Sequence, residues 1–173
     1  MTFVVVTVLA AVLAAAVLAR PASVGRAAVR GANAVTVWLA VIVCALLLVG
    51  VVSHTPLRHI VQIVPLIVAL TIVRVRAQLG AGAAAPLFAF WLLLMGAIWL
   101  FVLGIARTVS GRFTPVELLL TVVIGGASAL GLIALFRRGT TVPLAPRLGT
   151  VVAFAAFQFA AMWVSFLPAI ARR

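Results

Sequence analysis

Residues 86–106, PLFAFWLLLMGAIWLFVLGIA, decide the fold because they run without a single charged side chain. A helix that spans a bilayer needs about 20 predominantly apolar residues. Trp91 and Trp99 lie toward opposite ends of this stretch, as aromatic residues do at membrane interfaces. The stretch therefore predicts a transmembrane helix.

The composition extends this interpretation to the whole chain. Hydrophobic residues make up 67% of the sequence and charged residues only 8%, with a mean hydropathy of +1.42. A soluble domain carries about 25% charged residues. The apolar runs do not alternate with polar residues, as barrel strands would. We predict an all-α, polytopic integral membrane protein that forms one transmembrane domain over residues 1–173.

Apolar runs bounded by Pro, Gly and Arg predict a bundle of six transmembrane helices. The six predicted spans are residues 2–19, 34–52, 57–73, 86–106, 115–136 and 148–170. The third is short and contains Gln62 and Pro65, and Pro65 is expected to kink it. Five spans plus a re-entrant segment over residues 57–73 are the alternative. Residues 80–85 are predicted to form a flexible link, and Pro143 and Pro146 a non-helical loop.

The first apolar run could be a signal peptide or a retained helix. A cleaved signal has its basic residues in front of the apolar run, whereas Arg20, Arg26 and Arg30 follow this one. We therefore expect a retained helix with its N-terminus outside.

The basic residues are all arginine, and their distribution predicts the topology. Cytoplasmic loops of membrane proteins are enriched in Arg and Lys. The six-span topology places eight arginines in the cytoplasm, namely Arg20, Arg26, Arg30, Arg74, Arg76, Arg137, Arg138 and Arg147. Five lie outside, namely Arg58, Arg107, Arg112, Arg172 and Arg173. Both termini are then extracytoplasmic.

The same arginines identify the expected partners. They flank apolar runs in small groups, where they meet anionic lipid headgroups. A nucleic-acid site would instead form a basic patch on a soluble face, so we expect no nucleic acid partner. The Arg-rich, Lys-free composition is typical of GC-rich coding and favours the inner membrane of a bacterium.

Glu117 is the only acidic residue, and Thr114, Pro115 and Glu117 match a capping box at a helix start. This helix cap explains the residue, its spacing and its position. The alternative is a proton or cation site near the outer surface.

The remaining polar residues of the spans form either a polar path or a packing stripe. These candidates are His59, Gln62, Glu117, Thr121, Ser128 and Gln158. Polar residues inside spans are functional candidates, yet small residues at helical spacing more often serve packing. The stripe from Glu117 through Thr121 to Ser128 is small or polar throughout. The third, fifth and sixth predicted spans could turn their stripes toward one shared cavity.

The sequence offers little catalytic machinery. Cys44 is the only cysteine, so no disulfide or Cys-based metal cluster can form within the chain. Two His and one Glu are few for a zinc site, and we predict neither a metal nor a cofactor. We expect an accessory or scaffolding component of a membrane complex, or a homo-oligomer, and lean against an enzyme. The alternatives are a small-solute or ion transporter using the polar path, and a lipid enzyme using His59 and Glu117.

Overall fold

The computed structural model describes residues 26–107, 111, 113–138 and 142–171. Over these residues the chain forms helices and no strands. In chain order they are α1 (Arg26–Val52), α2 (Pro56–Val75), α3 (Ala77–Val102), α4 (Pro115–Arg138), α5 (Leu144–Ser165) and the short α6 (Pro168–Ala171). The predicted all-α polytopic fold is confirmed.

Five helices are long and apolar enough to cross a membrane. Their spanning parts are Ala34–Val52, Pro56–Val75, Gln78–Val102, Pro115–Arg137 and Leu144–Ser165. These correspond to the second through sixth predicted spans. The first predicted span, residues 2–19, and Arg20 lie outside the described residues.

The third predicted span is a single helix, α2, which begins with Pro56 in its first turn and runs for 20 residues. A re-entrant segment is more typically 10–14 residues long, so the re-entrant alternative does not describe α2. Pro65 lies inside α2 and is buried. It lacks the N–H that would bond to the Val61 carbonyl, but it does not end the helix.

Three predicted boundaries were wrong. Residues 80–85 belong to α3, which begins at Ala77 rather than at residue 86. Alanine is the strongest helix former, and it dominates this segment. Residues 26–33, predicted as loop, are helical as well. Pro146 lies in the first turn of α5, where a missing N–H costs no helical hydrogen bond.

The helix α3 forms the centre of the bundle and contacts the four other long helices. Every residue from position 80 to position 91 is buried. In the described part of the chain, α4 contacts α1 and α3, while α5 contacts α2, α3 and α6. The helices α4 and α5 therefore lie on different sides of α3.

The chain reverses direction at each connection between the five long helices, which gives the bundle two ends. The basic end holds the starts of α1, α3 and α5 and the ends of α2 and α4. Arg74 and Arg76 are exposed at this end, and so is Arg137. Arg26, Arg30, Arg138 and Arg147 occupy helix termini at the same end. We call the opposite end, which carries Glu117 and both histidines, the polar end.

Candidate functional site

The lone carboxylate of Glu117 caps the start of α4. Its Oε2 accepts hydrogen bonds from the Thr114 backbone N–H at 2.7 Å and from the Thr114 hydroxyl at 3.0 Å. In return, the Glu117 backbone N–H donates to Thr114 Oγ1 at 3.3 Å. These reciprocal bonds are those of a capping box. A negative side chain is also favourable at the positive end of the helix dipole.

The capping geometry predicts how replacements of Glu117 will behave. Glu117→Gln retains an acceptor oxygen at the same position, so we expect the free energy of unfolding to change by less than about 0.5 kcal/mol. Glu117→Ala removes the acceptor and should cost about 1 kcal/mol. Denaturant titration in detergent compares the two variants. Equal losses in both would mean that the charge of Glu117, not its hydrogen bonds, carries the stability.

The small-residue stripe of α4 is filled by large side chains of α3. The Trp99 indole N–H donates to Thr121 Oγ1 at 3.0 Å. A Cβ placed on Gly125 would lie 3.4 Å from Met95 Cβ, and one placed on Gly131 would lie 2.6 Å from Phe88 Cε2. Positions later in α4 therefore contact positions earlier in α3. This order is expected for antiparallel helices in close contact.

The polar groups of this stripe are satisfied within the helix. The Thr121 hydroxyl donates to the Leu118 carbonyl at 2.7 Å, and the Ser128 hydroxyl donates to the Ile124 carbonyl at 2.7 Å. Ser128 is completely buried. The stripe is therefore an interhelical packing surface, as small residues often are in membrane bundles.

A second polar group begins where α1 and α2 meet at the polar end. The Ser53 and Thr55 hydroxyls are 2.6 Å apart. His59 Nδ1 lies 3.0 Å from the Thr55 carbonyl oxygen and 3.2 Å from its hydroxyl. Gly50 permits this arrangement, because a Cβ there would lie 2.9 Å from His59 Cβ.

One turn further along α2, a hydrogen bond joins α2 to α5. Gln62 Nε2 donates to Ser165 Oγ at 3.0 Å, and the Ser165 hydroxyl donates to the Met162 carbonyl at 2.8 Å. Both side chains are buried. Near them Arg58 places its guanidinium carbon 3.9 Å from the centre of the Phe166 ring, so a cation–π contact closes this end of the interface.

Gln158 lies deepest in this interface and differs from the other polar residues. Its side chain is 0% exposed, and it lies in the middle part of α5. Within the part of the chain that the structure describes, neither its Oε1 nor its Nε2 has a hydrogen-bond partner. An unsatisfied amide in an apolar environment costs several kcal/mol. An ordered water costs at most about 2 kcal/mol to immobilise.

The six candidate path residues do not converge. His59 and Gln62 belong to α2 and Gln158 to α5, whereas Glu117, Thr121 and Ser128 belong to α4. Among the described residues, α4 makes no contact with α2 or α5. The expectation that the third, fifth and sixth predicted spans share one cavity was therefore wrong, since α3 stands between them.

The groups proposed for other chemistry lie on different helices, although His59 and Glu117 are close enough to interact electrostatically. His59 and Glu117 sit on α2 and α4, which do not contact each other in the described chain. No three His, Cys, Asp or Glu side chains are grouped to hold a metal ion in the described segments. Cys44 is a free, exposed thiol on α1, beside a shallow apolar groove of about 530 Å³ between α1 and α4.

These elements define the class: a polytopic α-helical membrane protein whose helices pack around a central, alanine-rich span. Comparisons with protein families, with curated proteins and with solved structures found no match for this chain.

Proposed function

We propose that this chain is a non-enzymatic structural component of a bacterial inner-membrane complex or homo-oligomer, and that it works by helix packing. The observation that carries the proposal is the contact between α3 and α4. The polar stripe that would otherwise be the best solute path is filled there by Phe88, Met95 and Trp99. Its small residues serve close helix approach instead.

The outward face of α5 supports an association with a further helix. Four small residues, Gly149, Ala153, Ala156 and Ala160, are exposed on it. They recur at three- and four-residue spacing, which aligns them on one helical face. Small residues of this spacing let two membrane helices approach closely. The proposed partner is a membrane helix of a second copy or of another subunit.

The orientation follows from the arginines. We propose that the basic end, with Arg74, Arg76, Arg137 and Arg147, faces the cytoplasm, because positive charge is retained there and meets anionic headgroups. The polar end then faces the outside. This orientation also predicts that both termini are extracytoplasmic.

Extraction from native membranes in a mild detergent tests the proposed function. We expect the protein to migrate as a complex well above the 18.0 kDa of a single chain. Ala156→Leu should shift it toward the monomer, since a larger side chain holds the helices apart. Val122→Leu, at an exposed position of α4, is the matched control. A wild-type protein that migrates as a monomer would contradict the proposal.

A further inference from the structure

We propose that Gln158 holds a buried water molecule between α2, α3 and α5, near the middle of the membrane. The site is independent of the proposed function, because it lies inside the chain and away from the outward face of α5. The ligand is a small neutral molecule that can both donate and accept hydrogen bonds. Water is such a molecule and surrounds every membrane protein on both sides of the bilayer.

The location of the amide follows from the helix contacts. Among the described spanning helices, α5 contacts only α2 and α3, so we place its fully buried Gln158 side chain at the interface with those two helices. The bond from Gln62 to Ser165 fixes the antiparallel register of α2 and α5. Two turns further into the bundle, this register brings Gln158 level with Ala69, which is also fully buried.

The side chains next to Gln158 on its own helix offer its amide no hydrogen-bond partner. On its own helix Gln158 is flanked by the buried residues Ala155 and Ala161, which offer no side-chain donor or acceptor. Both polar atoms of the amide are without a partner in the described residues. Buried waters typically bond to polar groups of this kind.

The site is enclosed toward the polar end of the interface. The Arg58–Phe166 contact lies at that end, and the fully buried Leu66 lies on α2 between Gln62 and Ala69. Gln62 and Ser165 are hydrogen-bonded to each other there. Toward the basic end α3 and α5 approach closely, because a Cβ on Gly82 would lie 3.3 Å from Thr150 Cβ. A water bound to Gln158 would therefore be retained inside the bundle.

Two methionines make the proposal testable by X-ray hydroxyl-radical labelling. Radicals formed from a bound water oxidise the nearest side chains, and methionine is converted to its sulfoxide. Met162 is one turn from Gln158 and is 3% exposed. Met95, which packs toward Gly125 on the other side of α3, is 5% exposed and is the matched control.

We expect wild-type protein in detergent and ¹⁸O-labelled water to oxidise Met162 several-fold faster than Met95, with ¹⁸O in the sulfoxide. Gln158→Leu should reduce Met162 labelling to the level of Met95, whereas Gln158→Asn should retain it. Equal labelling of the two methionines in the wild type would overturn the proposal without requiring any variant to fold. Labelling of Met162 that persists in folded Gln158→Leu would overturn it as well.

Discussion

Replacing Gly80 by Ala is expected to destabilise the folded protein by about 2 kcal/mol, the net of an overpacking cost of about 3 and a helix-propensity gain of about 1. A Cβ on Gly80 would lie 2.7 Å from the backbone nitrogen of Val73 and against its Cα. Backbone atoms cannot rotate away as a side chain can. Arg76 alone joins α2 to α3, so the two helices cannot separate without distorting their shared turn.

The matched control is Gly96→Ala in the same helix, α3. A Cβ there meets nothing within 4 Å, and the greater helix propensity of alanine should leave stability unchanged or raise it by up to about 1 kcal/mol. Unfolding in a denaturing detergent titration measures both variants. If Gly80→Ala unfolds at the same midpoint as Gly96→Ala, the close contact between α2 and α3 does not exist in the membrane protein.

Replacing Gly131 by Ala is expected to cost on the order of 1–2 kcal/mol through overpacking. The new Cβ would lie 2.6 Å from Phe88 Cε2, and the ring is 0% exposed. The effect should be smaller than at Gly80, because an aromatic side chain can tilt. Gly126→Ala is the control, since a Cβ there meets nothing within 4 Å on the same helix.

A double-mutant cycle with Phe88→Leu attributes the loss at Gly131 to the ring. Phe88→Leu alone opens a cavity and destabilises the protein. In the double variant with Gly131→Ala, the smaller side chain makes room for the new methyl group. The double variant should therefore lose less stability than the sum of the losses of the two single variants. Thermal unfolding of the four proteins in one detergent gives the coupling. Additive losses would show that the ring does not limit the space at Gly131.

The sequence predicted the class of fold because apolar length is a local property. The apolar run over residues 86–106 is too long and too apolar for an ordinary helix of a soluble protein. The start of α3 was missed because Gly80 and its neighbours were interpreted as a flexible link. Inside a membrane bundle, alanine favours the helix and glycine permits close approach. The same segment is thus buried in the core.

Among the candidate sites, contacts between residues close in the chain were predictable from the sequence, and contacts between distant helices were not. The bonds between Thr114 and Glu117 follow from residues three apart, so a local pattern predicted them. The pairs Trp99–Thr121 and Gln62–Ser165 join helices that are distant in the chain. Helical spacing predicts which side chains share a face, but it does not identify the neighbouring helix. For this reason the shared cavity was predicted wrongly, and the position of α3 could not be foreseen.

The single-residue joint at Arg76 has a consequence for how the chain enters the bilayer during its synthesis. The Arg76 N–H donates to the Ile72 carbonyl at 2.7 Å, and its carbonyl accepts from the Gly80 N–H at 2.9 Å. Only Arg76 lies between α2 and α3. The connection is therefore too short to form a loop that stays in water while one helix inserts without the other. We therefore expect the two helices to insert together as one hairpin, with Arg74 and Arg76 at its tip and the Gly80 contact formed between its two arms.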